Sequence, residues 1–270
     1  MTNIALQRDL RRVAHACADA AQEETLRCFR MAGLDADDKS QGLGFDPVTE
    51  GDRAAEAAMR RLLAAERPDD GILGEEEDAK IGTSGVTWVL DPIDGTRGYL
   101  SGTPTWGTLI AVGGIGGPEF GIIDQPYIGE RFEGGFGVSQ MSGPRGTIAL
   151  KTRPTRSLSA ARLFTTFPEV GTRAERRAFE AVAGRAKLVR YGMDCYAYAL
   201  VALGQADLVI EAGLQAYDIQ GPMAVVEAAG GVVTDWEGGP AHEGGRVVAA
   251  ATPKLHQAAL KEIAQAGGGV

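Results

Sequence analysis

The segment Asp91-Pro-Ile-Asp94-Gly-Thr96 constrains this chain more than any other part of its sequence. The apolar run Val86–Leu90 directly before it predicts a buried strand, so two carboxylates stand at the end of that strand, three residues apart. Carboxylates in such a place are costly unless a cation neutralises them, and the Ile93 carbonyl could face the same cation. The alternative is a polar turn that caps a short helix.

The last two residues of this segment add a second chemical property. Gly95 and Thr96 would open a helix, and the first N–H groups of a helix have no partner within it and can face an anion. The segment therefore predicts metal ligands and a phosphate cradle at one place.

Three further carboxylates stand at positions that suit such a site. Glu75 follows the short apolar step Gly71–Gly74, Asp52 lies in the first turn of a helix that Thr49 caps, and Asp218 lies near the start of an apolar helix. Each has a structural alternative as well. A glutamate triplet is usually a solvated loop, and an aspartate near a helix start is usually there for the cap and the helix dipole.

The periodicity of apolar residues and the positions of glycine and proline predict an α/β chain with mixed sheets. Residues 1–150 read as an α+β half that carries the metal motifs, and residues 151–270 as an α/β half, together forming one compact body. We expect a loop or hairpin over Gly33–Phe45 and a frayed tail at Gly267–Gly269. The predicted helices are Ile4–Phe29, one from Thr49 to Glu66, Arg173–Gly184 and Cys195–Leu203; the predicted strands are Val86–Leu90, Thr108–Gly113, Gly121–Asp124, Phe132–Val138, Leu208–Glu211 and Val247–Ala251.

Composition excludes several classes of protein. A net charge of -9 argues against nucleic acid as a partner, because phosphate backbones require basic patches. Three cysteines without CxxC spacing indicate neither a disulfide framework nor a zinc site. The N-terminus lacks the apolar core of a signal peptide, and no apolar run approaches the ~20 residues that span a bilayer. We expect a cytoplasmic protein without a membrane partner.

Four blocks in this order resemble the inositol-monophosphatase superfamily. They are Asp46-Pro-Val-Thr49-x-x-Asp52, Gly74-Glu75-Glu76, Trp88-Val-Leu-Asp91-Pro-Ile-Asp94-Gly-Thr96, and Tyr217-Asp218 followed by Glu227-Ala-Ala-Gly230-Gly231. The resemblance covers the chain from about residue 39 to 239. It implies a layered αβαβα sandwich of the inositol-monophosphatase and fructose-bisphosphatase type, a homodimer, and a small phosphomonoester as substrate.

The resemblance also implies roles for the quoted residues. Two or three Mg²⁺ ions would bind: the first to Glu75, Asp91 and the Ile93 carbonyl, the second to Asp91, Asp94 and Asp218, and a weaker third to Glu75. Asp52 and Thr96 would orient the attacking water, with Glu75 also counted as catalytic, and Gly95 and Thr96 would bind the phosphate. Hard oxygen ligands of this kind suit Mg²⁺.

Three departures from inositol monophosphatases resemble the histidinol-phosphate phosphatase branch. They are the Arg97-Gly-Tyr-Leu100 continuation, Gln220 after Tyr217-Asp218-Ile219, and the segment Asp194-Cys-Tyr-Ala-Tyr198. Asp194 and Glu211, together with Asp94, fall where the family recognises the alcohol part of its substrate. Two carboxylates suit the amine and the imidazole of histidinol, and the alternative for Asp194 is a helix N-cap.

Other readings are weaker or remain alternatives. The haloacid-dehalogenase signature requires Asp-x-Asp, whereas Asp91 and Asp94 are three residues apart. The sequence also has no GxxxxGK loop and no GxGxxG. We expect His15, His242 and His256 to be surface residues and Cys195 to be a small buried residue. The alternatives to histidinol phosphatase activity are an inositol monophosphatase or broad sugar-phosphate phosphatase, and a catalytically silent relative that binds metal or ligand as a regulator.

Overall fold

The structure of the chain, a computed structural model, describes residues 3–38 and 47–267. The helices are α1 (Ile4–Cys28), α2 (Glu50–Glu66), α3 (Thr96–Leu100), α4 (Arg173–Ala183), α5 (Asp194–Ala202), α6 (Ala216–Ala228) and α7 (Pro253–Gln265). The strands are β1 (Asp37–Asp38), β2 (Pro47–Val48), β3 (Gly71–Gly74), β4 (Thr87–Asp94), β5 (Gly107–Gly114), β6 (Gly117–Gln125), β7 (Glu130–Gly135), β8 (Val138–Gly143), β9 (Gly146–Ala149), β10 (Arg162–Thr165), β11 (Leu188–Tyr191), β12 (Leu208–Leu214), β13 (Val232–Asp235) and β14 (Gly245–Ala250). None of these helices is long and apolar enough to cross a bilayer.

The larger strands form two sheets. The seven-stranded sheet runs in chain order from β3 to β9 and is antiparallel except for the β3–β4 pair. The five-stranded sheet has the order β11-β10-β12-β14-β13, with β10 parallel to both β11 and β12 and with β14 antiparallel to its neighbours. The short strands β1 and β2 pair antiparallel on their own.

Alternation along the strands places helices on both faces of each sheet, because successive side chains of a strand point to opposite faces. In the seven-stranded sheet, Ile110 packs in the core with α1 and α2, whereas Leu109 packs in the core with α5 and α6. In the five-stranded sheet, Val209 joins the α5 and α6 core, whereas Leu208 packs with α4 and α7. The layers are therefore α1/α2, sheet, α5/α6, sheet, α4/α7, which confirms the predicted αβαβα sandwich.

Helix α6 lies close against the seven-stranded sheet because glycines leave it room. A Cβ on Gly121 would lie 2.5 Å from the Gly221 carbonyl oxygen, and one on Gly134 would lie 2.6 Å from the Ala224 carbonyl oxygen. Real Cβ atoms do not approach backbone so closely, so these positions require glycine. The close contact fixes the middle of α6 against the sheet, and Asp218 lies one turn before it.

Several sequence predictions are confirmed and some are wrong. All six predicted helices are present, including the two expected after Gly95 and around Asp218, and Thr49 caps α2 with Asp52 in a capping box. The stretch predicted as one strand over 132–138 is instead a hairpin, since β7 ends at Gly135 and β8 begins at Val138. His256, expected at the surface, is only 6% exposed because it faces Thr234. Asp46, most of the Gly33–Phe45 segment and the last residues of the tail lie outside the described residues.

Candidate active site

A β-bulge in β4 brings the two motif aspartates to one side. Asp91 pairs with Leu109 and Asp94 with Gly107, so three steps along β4 match two along β5. In a regular strand, residues at an odd spacing point to opposite faces, and the extra residue removes this difference. As a result, one carboxylate oxygen each from Asp91, Asp94 and Asp218 lies within 4.8 Å of the other two.

Asp91 lies deepest in this cluster. Its side chain is 1% exposed, and its Oδ1 atom has no hydrogen-bond partner among the described residues. Burial raises the pKa of Asp91 well above its ordinary value, and the charges of Glu75, Asp94 and Asp218 raise it further. A buried, unpaired carboxylate oxygen among like charges is stable only when it is protonated or when it faces a cation. These residues therefore fit a metal ion.

Asp94 is held in place by the start of α5. The Cys195 backbone N–H donates to Asp94 Oδ2 at 2.6 Å. Burial raises the pKa of Asp94 well above its ordinary value, followed by the charges of Asp194 and Asp218. Cys195 itself is 2% exposed, and burial raises the pKa of its thiol well above the usual range. It is the small buried residue that the sequence predicts, and it is unsuited to act as a thiolate nucleophile.

Asp218 and Asp52 each cap a helix and also belong to the site. Asp218 Oδ2 accepts a 2.6 Å hydrogen bond from the Gln215 backbone N–H. Asp52 Oδ2 accepts from the Thr49 backbone N–H at 2.8 Å and from the Thr49 hydroxyl at 2.5 Å. The capping roles that the sequence offered as alternatives are therefore real, and each uses Oδ2. Asp52 Oδ1 lies toward Thr96, and one carboxylate oxygen of Asp218 lies in the acidic cluster.

Thr96 lies between Asp52 and the bulge of β4. Its hydroxyl oxygen is 3.5 Å from Asp52 Oδ1 and 3.1 Å from the Ile93 carbonyl oxygen. Asp52 is fully buried, and burial raises its pKa to about 6. The pair combines a hydroxyl group with a carboxylate that can take up a proton near neutral pH.

Glu75 is held near the cluster by a residue that the sequence analysis missed. Glu56, fully buried on α2, accepts hydrogen bonds from the Glu76 N–H at 2.8 Å and the Glu77 N–H at 3.2 Å, and from Arg60 Nε at 2.8 Å. The sequence does contain a pattern that indicates a buried ion pair here. A glutamate interrupts the apolar face of α2, and an arginine follows four residues later.

A cleft of about 300 Å³ leads away from the acidic cluster. Asp94 and Asp218 lie at its metal end, and Asp194 and Glu211 also line it. Its other lining residues are Pro47, Gly95, Thr96, Arg97, Thr166, Phe167, Ala212, Gly213 and Leu214. The structure thus brings the predicted substrate-binding carboxylates into the same cleft as two predicted metal ligands.

Asp194 occupies an unusual backbone conformation beside the motif. Its φ of 45° lies in the left-handed region, which is rare for a residue other than glycine. A Cβ on Gly95, whose own φ is 85°, would lie 3.0 Å from the Asp194 Cβ. Burial raises the pKa of Asp194 to about 6, and the nearby Arg97 lowers it in part. Asp194 therefore lies directly against the motif. The N-cap alternative is wrong, because Met193 is the N-cap of α5 and no side chain caps this helix.

Glu211 is buried and already has several partners. Its Oε1 accepts from the Thr166 N–H at 2.7 Å and the Thr166 hydroxyl at 3.0 Å, and its Oε2 accepts from the Thr165 hydroxyl at 3.1 Å. Burial raises its pKa to about 7. Glu211 consequently fixes the segment after β10, whatever it contacts in a substrate.

Gln220, one of the three branch-like departures, lies elsewhere. Its amide donates to the His242 carbonyl oxygen at 3.0 Å, and it lines a different cleft. The residue supports the fold near α6 and does not face the cleft of Asp194.

The comparisons with known proteins agree with this geometry. The sequence matches the profile of the inositol monophosphatase family over residues 6–267. The chain therefore belongs to the inositol monophosphatase family, whose members are metal-dependent phosphatases.

The individual relatives carry different functional names. The chain is 39% identical to the bifunctional phosphatase IMPL2, chloroplastic, of Arabidopsis thaliana over 267 residues, which cover 93% of this chain and 74% of that protein. It is 32% identical to a histidinol-phosphatase of Chlorobaculum parvum, over 82% of this chain and 83% of that protein. A solved inositol monophosphatase from Zymomonas mobilis superposes with a TM-score of 0.82 at 38% identity and covers 94% of this chain and 96% of its own.

Proposed function

We propose that this phosphatase hydrolyses L-histidinol phosphate to L-histidinol and phosphate in a Mg²⁺-dependent reaction. The observation that carries the proposal is the position of Asp194 and Glu211, which line the same cleft as Asp94 and Asp218. A phosphomonoester whose alcohol part carries cationic nitrogen would therefore meet further carboxylates beside the acidic cluster.

Two or three Mg²⁺ ions would be held by Glu75, Asp91, the Ile93 carbonyl, Asp94 and Asp218. Paired ions of this kind acidify a bound water and stabilise the oxygen of the leaving group. The orphaned Asp91 Oδ1 atom and the acidic cluster around it support this donor set.

Asp52 and Thr96 would orient the attacking water. When Thr96 donates its hydroxyl proton toward Asp52 Oδ1, the lone pairs of its oxygen can accept a hydrogen bond from a water molecule. Asp52, with a pKa raised to about 6, would take up the proton that is released. Gly95 has no side chain to block the approach of the phosphate, and the N–H groups of Gly95 and Thr96 would bind it.

Asp194 would bind the cationic part of histidinol. Burial raises the pKa of Asp194 to about 6. A cation in the cleft would favour the ionised form of this carboxylate, because opposite charges attract. Glu211 would contribute a second carboxylate, and its Oε2 accepts one hydrogen bond in the structure and has a further lone pair. A polyol substrate carries no positive charge to match these groups.

The structure and the comparisons bear differently on the two alternatives. Inositol phosphates as substrates are favoured by the similarity to the inositol monophosphatase of Zymomonas mobilis. A silent regulator is disfavoured by the presence of the whole acidic cluster together with Asp52 and Thr96.

A cytoplasmic location stays a prediction.

A phosphate-release screen tests the proposal. The panel contains histidinol phosphate, inositol 1-phosphate, glycerol 2-phosphate and a sugar phosphate, each with Mg²⁺ and with excess EDTA. We expect turnover only with Mg²⁺ and the highest kcat/KM with histidinol phosphate. Turnover in EDTA would contradict the metal assignment. A preference for inositol phosphate would contradict the substrate, and silence on the whole panel would favour the regulator.

A further inference from the structure

An aromatic side chain lies at the wall of the cleft, and the proposed chemistry does not yet use it. Phe167 is 44% exposed and lines the cleft together with Asp194 and Glu211. The guanidinium carbon of Arg97, which also lines the cleft, is 4.7 Å from the centre of its ring. Large apolar rings are normally buried, so a ring that is exposed in a polar cleft is a candidate for contact with a ligand.

The two residues come from different sheets of the sandwich. Arg97 lies in α3, directly after the motif that ends β4, and Phe167 lies two residues beyond the end of β10. Their contact therefore bridges the cleft from the seven-stranded to the five-stranded side. The bridge sits next to the metal end, since Thr96 and Arg97 are neighbours in sequence.

Hydrogen bonds of the two preceding residues fix the position of Phe167. The two preceding residues, Thr165 and Thr166, give three hydrogen bonds to the buried carboxylate of Glu211. The Arg97 guanidinium lies over one face of the ring in a cation–π contact. The ring is thus preorganised, and a ligand that packs on it does not have to order it first.

The surroundings of the ring define what it can bind. An aromatic face prefers a flat, electron-poor or cationic partner, and the carboxylates of Asp194 and Glu211 line the same cleft. A planar nitrogen heterocycle can pack on the ring and at the same time donate N–H groups to these carboxylates. A polyol or a simple alkyl chain can do only one of the two.

We propose that Phe167 is a specificity-determining residue that packs against the planar nitrogen heterocycle of the substrate, and that Arg97 positions its ring. This inference rests on the proposed function and adds to it a contact that does not involve charge. Asp194 and Glu211 select for positive charge, whereas Phe167 selects for the flat ring.

The test uses the full-length protein with Mg²⁺ and three variants. Phe167→Leu removes the aromatic face but keeps an apolar side chain, and Phe167→Tyr restores the ring. Tyr191→Leu is the matched control, because Tyr191 is a similarly exposed aromatic residue (45%) in the strand that pairs with β10, outside the lining of the cleft.

Two measurements are made on each variant. The first is kcat/KM for histidinol phosphate and for glycerol 2-phosphate, which has no ring. The second is the inhibition constant of L-histidinol, measured with glycerol 2-phosphate as substrate. We expect Phe167→Leu to lower kcat/KM for histidinol phosphate about five- to tenfold, mainly through KM, and to raise the inhibition constant by a similar factor. Values for glycerol 2-phosphate stay within about twofold of wild type, and Phe167→Tyr and Tyr191→Leu behave as wild type.

Contrary results separate the two proposals. If the wild type prefers histidinol phosphate but Phe167→Leu changes neither measurement, the ring contact is wrong and the substrate stands. If Phe167→Leu lowers activity equally on both substrates, the residue is structural and the inference is wrong. If the wild type shows no preference and L-histidinol does not inhibit, the proposed function fails and the ring contact fails with it.

Discussion

At the scale of single residues, a carboxylate that caps a helix can also face the candidate site. Asp52 uses Oδ2 for both donors of Thr49 and presents Oδ1 to Thr96. Asp218 likewise uses Oδ2 for the Gln215 N–H. Sequence could predict both roles but could not decide between them, because the decision depends on which oxygen faces the cluster.

Substitution of Asp52 tests this division. In Asp52→Asn, one side-chain oxygen remains to accept from Thr49, but the proton acceptor is lost. We expect kcat to fall about 10²- to 10⁴-fold, which is typical for loss of a general base, with little change in Tm. Phosphate release and thermal unfolding are the measurements. Glu50→Gln, in the same turn but exposed, is the control; a large fall in Tm for Asp52→Asn with only a small loss of kcat would contradict the catalytic role.

At the scale of elements, β4 and α2 position the carboxylates through two different structural features. The bulge of β4 turns Asp91 and Asp94 to one side. Glu56 of α2 binds the backbone of the segment that carries Glu75. The sequence predicted the strand and the helix, but a bulge depends on the pairing register, which no local pattern reveals.

Removal of the Glu56 charge tests whether Glu56 positions the segment that carries Glu75. Glu56→Gln leaves one acceptor oxygen where the carboxylate had two, so the Glu75 segment loses at least one of its anchors. We expect the Mg²⁺ concentration for half-maximal activity to rise about tenfold, equivalent to about 1.4 kcal/mol, while kcat at saturating Mg²⁺ changes little. The control is Glu77→Gln, since that side chain is half exposed and lies 3.6 Å from Arg60. Equal Mg²⁺ requirements in both variants would show that Glu56 does not position the site.

The elements that the sequence did not predict share a physical reason. Strand β9 is exposed along its whole length, and β11 at the edge of its sheet is largely exposed, so neither has an apolar pattern. Helix α7 buries His256 against Thr234, a contact between residues far apart in sequence. Local periodicity predicted β4 and α2, which carry metal motifs, because β4 is buried along most of its length and α2 buries one apolar face.

At the scale of the whole molecule, the cleft is assembled from separate layers. Asp91 and Asp94 come from the seven-stranded sheet, Asp218 from the middle helical layer, and Glu211 from the five-stranded sheet. The proposed division near residue 150 stays a prediction; the first sheet ends at Ala149 and the second begins at Arg162. Ions that bind across these layers should therefore stabilise the entire fold.

Thermal unfolding with and without Mg²⁺ tests this coupling. The pKa values of Asp91 and Asp94 are raised, so without an ion their contribution to stability falls as pH rises from the ordinary carboxylate pKa toward the raised values. Mg²⁺ binds the ionised forms, so its stabilising effect should grow over the same interval. At about 100 times the dissociation constant we expect a gain of about 2.7 kcal/mol at pH 8, or about 5–10 °C in Tm, and a much smaller gain at pH 5. A Tm that Mg²⁺ does not change at either pH would contradict the metal site.

The predicted homodimer also belongs to this scale. Ile115, at the turn between β5 and β6, and Ile81 are almost fully exposed, and an apolar contact between copies would cover such side chains. Light scattering at micromolar concentration should give twice the mass of the 28.3 kDa chain. A monomer at that concentration would contradict the prediction.

We propose that one cleft combines a metal-dependent phosphatase site with carboxylates that recognise a cationic alcohol. The most direct test compares kcat/KM of wild type and Asp194→Asn on histidinol phosphate and on glycerol 2-phosphate. A charge-assisted hydrogen bond contributes roughly 1.5–3 kcal/mol, so we expect a loss of about ten- to a hundredfold on histidinol phosphate and almost none on glycerol 2-phosphate. Asp94→Asn, in contrast, should abolish both activities. Equal losses on the two substrates for Asp194→Asn would contradict the claim.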